Sequence, residues 1–172
     1  GGAVVNNSMS TTGANIACIS ATNDGSTVVL GGVKFAGNTN KNGETINALT
    51  LSTHNVTLIP TEDTDFQDPI YINNAYGSSK DVAIRVPEGL IKLKGKLPIL
   101  LAKEFVGAAT ISGGTGEGVH ALQPSDMEKV HVVNGIDGAY YLEVNENNTA
   151  VFAEVKTNDI VVYLSGNGND TN

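Results

Sequence analysis

The sequence predicts an all-β protein, an antiparallel β-sandwich of jelly-roll type with about ten or eleven strands. Three observations predict it. Short apolar or alternating runs recur at roughly 10–15-residue spacing, separated by turn residues. Charged residues make up only 16% of the chain, against about 25% in an average domain. Polarity comes instead from Asn, Thr, Ser and 20 Gly, which suit tight turns rather than exposed helix faces. Finally, no long helical pattern alternates with the strands, which disfavours a parallel α/β sheet.

The elements follow in order. Ala14–Ala21 is the first interior strand, closed by an Asp24–Gly25 turn signal. Thr27–Phe35 is the second, and Gly31–Gly32 inside it predicts a bulge or a close backbone approach. Ile46–Thr53 alternates, Asn55–Ile59 ends at Pro60, and an acidic loop leads to Ile70–Ile72. Val82–Val86 stops at Pro87, and Leu90–Leu97 reads as a strand with Lys92, Lys94 and Lys96 on one face. Phe105–Ile111 follows. Pro124 and the capping-box pattern Ser125–Asp126–Met127–Glu128 predict one short helical turn near 125–129. The last third reads as a meander of Lys129–Val133, Ala139–Val144, Ala150–Val155 and Ile160–Leu164. No clear internal repeat and no linker are visible. The expected organisation is an N-terminal arm or edge strand at 1–13, one β-sandwich domain at 14–164 and a polar tail at 165–172.

At 172 residues the chain can bury a core without a metal or disulfide. Its net charge of −8 disfavours phosphate backbones, so no nucleic-acid partner is expected. No apolar run approaches the ~20 residues of a spanning helix, so no membrane insertion is expected. Cys18 lies in an apolar run and reads as an inert thiol. The Gly1–Gly2 start fits a chain that has lost a leader, and an expression scar gives the same pair.

Candidate chemistry is sparse. Gly113–Gly118 lacks the Lys-Ser/Thr pair and following helix of a phosphate loop. His54, His120 and His131 are not at metal-ligand spacing, although His120, Asp126 and Glu128 can meet around the short helix. No Gly-x-Ser-x-Gly is present. Glu62, Asp63, Asp65 and Asp68 form the densest acidic cluster and are the candidate ligands for Ca²⁺, a cation that takes oxygen donors from acidic loops. No other cofactor and no catalytic residue is expected.

Two features point to assembly. Ala3, Val4 and Val5 form a short apolar patch able to add a strand to a neighbour. Lys92, Lys94 and Lys96 form a basic stripe in an acidic chain, able to guard an edge or to dock an acidic patch on the next copy. The expected function is a non-enzymatic structural subunit of an extracellular, cell-surface or virion assembly. Its partners would be copies of itself and other structural proteins of that assembly. The alternative is a carbohydrate- or surface-binding module, Ca²⁺-dependent or not, with Tyr71, Tyr76, Tyr140 and Tyr141 on its binding face.

Overall fold

A computed structural model describes residues 2–12, 16–21, 28–51, 56–72, 84–101, 109–113, 117–118, 120–133, 140–144 and 149–154. Nearly all regular structure is β, as the composition predicts, but the architecture is a β-solenoid of about three turns, not an antiparallel sandwich. The short runs are the sides of a coil. Over the first nine strands each pairs with the strand one turn away, so sequence neighbours there lie on different faces.

The first turn comprises β1 (Gly2–Val5), β2 (Ala17–Ala21) and β3 (Val28–Gly31). The second comprises β4 (Val33–Ala36), β5 (Asn47–Leu51) and β6 (Val56–Ile59). The third comprises β7 (Asp65–Phe66), β8 (Ile70–Ile72) and β9 (Ile84–Arg85). The strands stack in parallel as a first face of β1, β4 and β7, a second face that contains β2, β5 and β8, and a third that contains β3, β6 and β9. Beyond the third turn, β10 (Leu97–Leu101) and β12 (Val130–Val132) extend the second face in parallel. Strand β11 (Ala109–Ser112) extends the third, which ends in the antiparallel strands β14 (Thr149–Glu154) and β13 (Tyr140–Val144).

The stacking is in register. On the first face Ala3 pairs with Lys34 and Lys34 with Asp65, thirty-one residues apart at each step (3 to 34 to 65). On the second face one column runs Ile19, Leu49, Ile70, Ile99, Val132. On the second face like side chains therefore stack along the coil. Phe35 and Phe66 are adjacent rungs of the first face, with ring centroids 5.3 Å apart and planes at 19°. Offset stacking of this kind adds about 0.5–1.5 kcal/mol to the area the rings bury. The three faces enclose one core, in which Phe35, Leu49, Leu58, Ile70, Ile84 and Ile99 are fully buried.

The expected strand Thr27–Phe35 is in fact two strands, β3 and β4, on different faces. Gly32 between them has φ 58°, a left-handed conformation that lets the chain turn the corner. The expected strand Leu90–Leu97 is a turn-rich segment instead, and its strand begins at Leu97. Residues 87–96 occupy the first-face position below β7, where the Lys94 N–H donates to the Thr64 carbonyl at 3.0 Å. Leu90 and Leu93 point from it into the core. The helical turn is α1 (Pro124–Met127), and its N-cap is Gln123 rather than Ser125. Asp126, at the third helical position, reaches back to the Gln123 N–H at 2.9 Å. The expected strand Ile160–Leu164 and the tail at 165–172 lie outside the described residues.

Candidate functional site

Polar side chains at the corner that follows the first face form a ladder. Asn7 Nδ2 donates to Asn38 Oδ1 at 2.9 Å, and Asn38 Nδ2 donates in turn to Asp68 Oδ2 and to the Val4 carbonyl. The Gly37 and Asn38 N–H groups also donate to the Asp68 carboxylate, at 3.0 and 3.3 Å. Asn38 and Asp68 are buried. The ladder has a direction. Each amide hands a donor to the next turn, and Asp68, which only accepts, closes it at the third turn. Among the described residues no buried side-chain nitrogen or oxygen lacks a partner.

This geometry divides the acidic cluster. Asp68 is committed to the ladder. Asp65 is buried, accepts from Gln67 Nε2 at 3.0 Å and lies 3.7 Å from Lys34 Nζ. Glu62 and Asp63 are exposed in the turn before β7. The four carboxylates thus have separate surroundings, and among the described residues no three His, Cys, Asp or Glu side chains are grouped to hold a metal.

A second knot forms below the third turn. Asp126 is buried, takes the Leu90 N–H on Oδ1 at 2.7 Å, and meets His120 Nε2 with Oδ2 at 2.6 Å. Burial raises its proton affinity. The hydrogen bonds from His120, Leu90 and Gln123, with the charge on His120, outweigh burial and hold the carboxyl below its ordinary 3.8. Gly89 packs against this pair, and no larger residue fits there without displacing it. The site joins the 87–96 segment to the α1 turn. Lys129 Nζ adds a bond to the Leu93 carbonyl at 2.8 Å. His120 and Asp126 thus meet as a structural tie, a contact the sequence left open, while Glu128 stays exposed. His131 is exposed on β12, and His54 lies outside the described residues.

The lysines are separated in role. Lys92 pairs with Glu88 at 3.1 Å, with both exposed, and Lys94 and Lys96 are exposed on the same turn-rich segment. Tyr71 is half-buried on β8, while Tyr76 and the side chains of Tyr140 and Tyr141 lie outside the described residues. The Cys18 thiol is half-buried on β2. Burial, and secondarily the charge of Asp68, push its proton affinity up against a smaller backbone hydrogen bond.

Ala3, Val4 and Val5 lie in β1, which is the outer strand of the first face rather than a detached arm. With β2 and β3 it forms the first layer of the stack, and among the described residues each of the three has a pairing partner on one side only. The apolar side chains of this layer are incompletely covered. Val4, Cys18, Ile19 and Leu30 are partly buried against the core, and Val29 is 61% exposed. Residues 1–33 contain one charged side chain, Asp24. Sequence reasoning found β1 as an apolar patch but missed β2 and β3 as its companions. The near-absence of charge over this stretch was the available signal.

Comparison with protein-family models, with curated proteins and with solved structures finds no match to this chain.

Proposed function

We propose that this chain is a non-enzymatic structural subunit that assembles with copies of itself by adding β-strands to the open layer of its solenoid, in a filament-like structure outside the cell or on a virion. The observation that carries this reading is the first layer. Among the described residues it combines three strands that pair on one side only, a partly exposed apolar interior and almost no charge. Free strand edges are normally guarded by lysine, proline or a covering loop, because they template further pairing. Solenoids whose ends face water carry a polar terminal layer. A layer in which the described residues supply neither guard is suited to being covered by another coil.

Composition supports the setting. The chain presents Asn, Thr, Ser and Gly where a typical domain presents charge. The ladder and the stacked phenylalanines show how such residues reinforce a repeat along one axis, since each rung contacts only its neighbours.

The test uses the whole chain. Static light scattering against concentration, with negative-stain microscopy, should show particles larger than one chain. Val29→Lys together with Ser20→Lys places charge on two exposed positions of the first layer without entering the core. These substitutions should leave the circular-dichroism spectrum unchanged and abolish the larger species. A wild-type chain that stays monodisperse at high concentration defeats the proposal.

A further inference from the structure

Asp68, which closes the polar ladder, is the one aspartate of the chain that precedes a proline. An aspartate carboxylate is a nucleophile placed next to its own carbonyl carbon, and the ring it closes there has five members. When the next residue is proline, the nitrogen expelled is a basic secondary amine, which takes up a proton and departs readily. The Asp68–Pro69 bond therefore carries its own means of cleavage.

The fold holds that means in check. Asp68 is buried and Pro69 half-buried. The Gly37 N–H donates to Asp68 Oδ1, and the Asn38 N–H and Nδ2 donate to Oδ2, so both oxygens are engaged by another turn of the coil. An oxygen held by such donors is a poorer nucleophile, and three donors fix the rotation of the carboxylate. The backbone is tied on both sides as well. The Gln67 N–H donates to the Phe35 carbonyl at 2.8 Å, and the Pro69 carbonyl accepts from the Ala48 N–H at 2.7 Å. From β2, the Cys18 thiol lies within range of the Asp68 charge.

We propose that Asp68–Pro69 is a latent self-cleavage site, kept closed by the Asn38–Asp68 rung of the ladder. When the rung opens, an Asp68 side-chain oxygen attacks the Asp68 carbonyl carbon. The bond from that carbon to the Pro69 nitrogen breaks, its electron pair stays on nitrogen, and the nitrogen takes a proton from solvent. One water then opens the cyclic anhydride. The products are a chain that ends in Asp68 with two carboxyl groups and a chain that begins with Pro69 as a free amine. The net reaction consumes one water, and the cut falls at the corner between β7 and β8. Asp68 is the reacting group, and Asn38 is a positioning residue that restrains it.

The test follows the intact mass of the whole chain in the most acidic buffer in which its circular-dichroism spectrum stays native, with and without enough urea to unfold it. In urea, fragments 1–68 and 69–172 should accumulate, with masses that sum to the parent plus one water. Asp68→Ala should give neither. Without urea the wild type should cleave about ten- to a hundredfold more slowly, the factor that a hydrogen bond to a charged group commands. Asn38→Leu, or Asn38→Ser if the first does not fold, should recover much of that factor per folded chain. Asn7→Ala leaves the Asp68 donors in place and should cleave at the wild-type rate per folded chain. If the Asn38 variants gain cleavage only in proportion to their unfolded fraction, the rung is no lock and the proposal fails. It fails equally if folded and unfolded wild type cleave alike, if neither cleaves, or if Asp68→Ala still yields the two fragments.

Discussion

Asn38 and Asp126 each hold distant parts of the chain together with one short side chain. Asn38 serves three partners at once: it accepts from Asn7 and donates to Asp68 and the Val4 carbonyl. An Asn38→Leu substitution keeps the branched shape but removes the Asn38 Nδ2 donor from the buried Asp68 carboxylate and the Val4 carbonyl, and the acceptor from Asn7. We expect a loss of about 2–4 kcal/mol in urea unfolding, since unsatisfied buried acceptors, above all charged ones, lose their full desolvation free energy. Asp126 makes a pH-dependent contribution. In the unfolded chain its carboxyl takes a proton at its ordinary 3.8, and the folded chain delays that to lower pH. Its stabilisation is therefore complete above that value and disappears as pH falls through the folded one. Asp126→Asn keeps one acceptor oxygen and loses the other, so it should destabilise by about 1–3 kcal/mol at neutral pH. The gap between wild type and variant should narrow in unfolding curves taken below 3.8.

At the level of elements, the 87–96 segment and the α1 turn replace strands on the first face once β7 is passed. They hold together through Leu90, Leu93 and the Asp126 knot, and Gly89 makes the close approach. Gly89 has φ 73°, and a Cβ there would lie 2.6 Å from His120 Nε2 and 2.7 Å from Asp126 Oδ1. Gly43 has φ 80° with open space around it. Both glycines relieve the left-handed penalty of about 1–2 kcal/mol that an L-residue would meet. Gly89→Ala alone must also break a buried contact. It should lower the urea midpoint clearly more than Gly43→Ala, and equal effects would show that the knot is not tight. The short helix was legible because a proline and an acidic residue mark its first turn within four residues. Its exact cap was not, because Gln123 has no more local claim to that place than Ser125.

On the scale of the whole molecule, the coil makes stability a matter of position along one axis. Ile70 lies mid-column with a turn above and below, whereas Ile19, among the described residues, has a column neighbour on one side only. Ile70→Ala should cost about 2–5 kcal/mol, the range for a buried aliphatic truncation whose site cannot collapse. Ile19→Ala should cost less in dilute solution, where each chain stands alone. At concentrations that support assembly it should weaken association, read by light scattering. If both truncations destabilise the dilute chain equally, the first layer is already covered and the assembly reading loses its basis.

Local chemistry alone determined much of this protein: the β-rich backbone, the approximate place of most described strands and the brief helix. Those follow from side-chain alternation, turn residues and capping patterns that act over a few residues. Tertiary structure decided which strands pair, and with that the solenoid in place of a sandwich. Alternation looks the same in parallel and antiparallel strands, so it does not reveal whether a partner lies next in sequence or a full turn away. The repeat was hidden as well. Its column conserves only aliphatic character, through Ile19, Leu49, Ile70, Ile99 and Val132, and its steps vary with loop length (19 to 49, 49 to 70, 70 to 99, 99 to 132). Loop closure tolerates such variation at little free-energy cost, so the backbone can keep its register where the sequence loses its period.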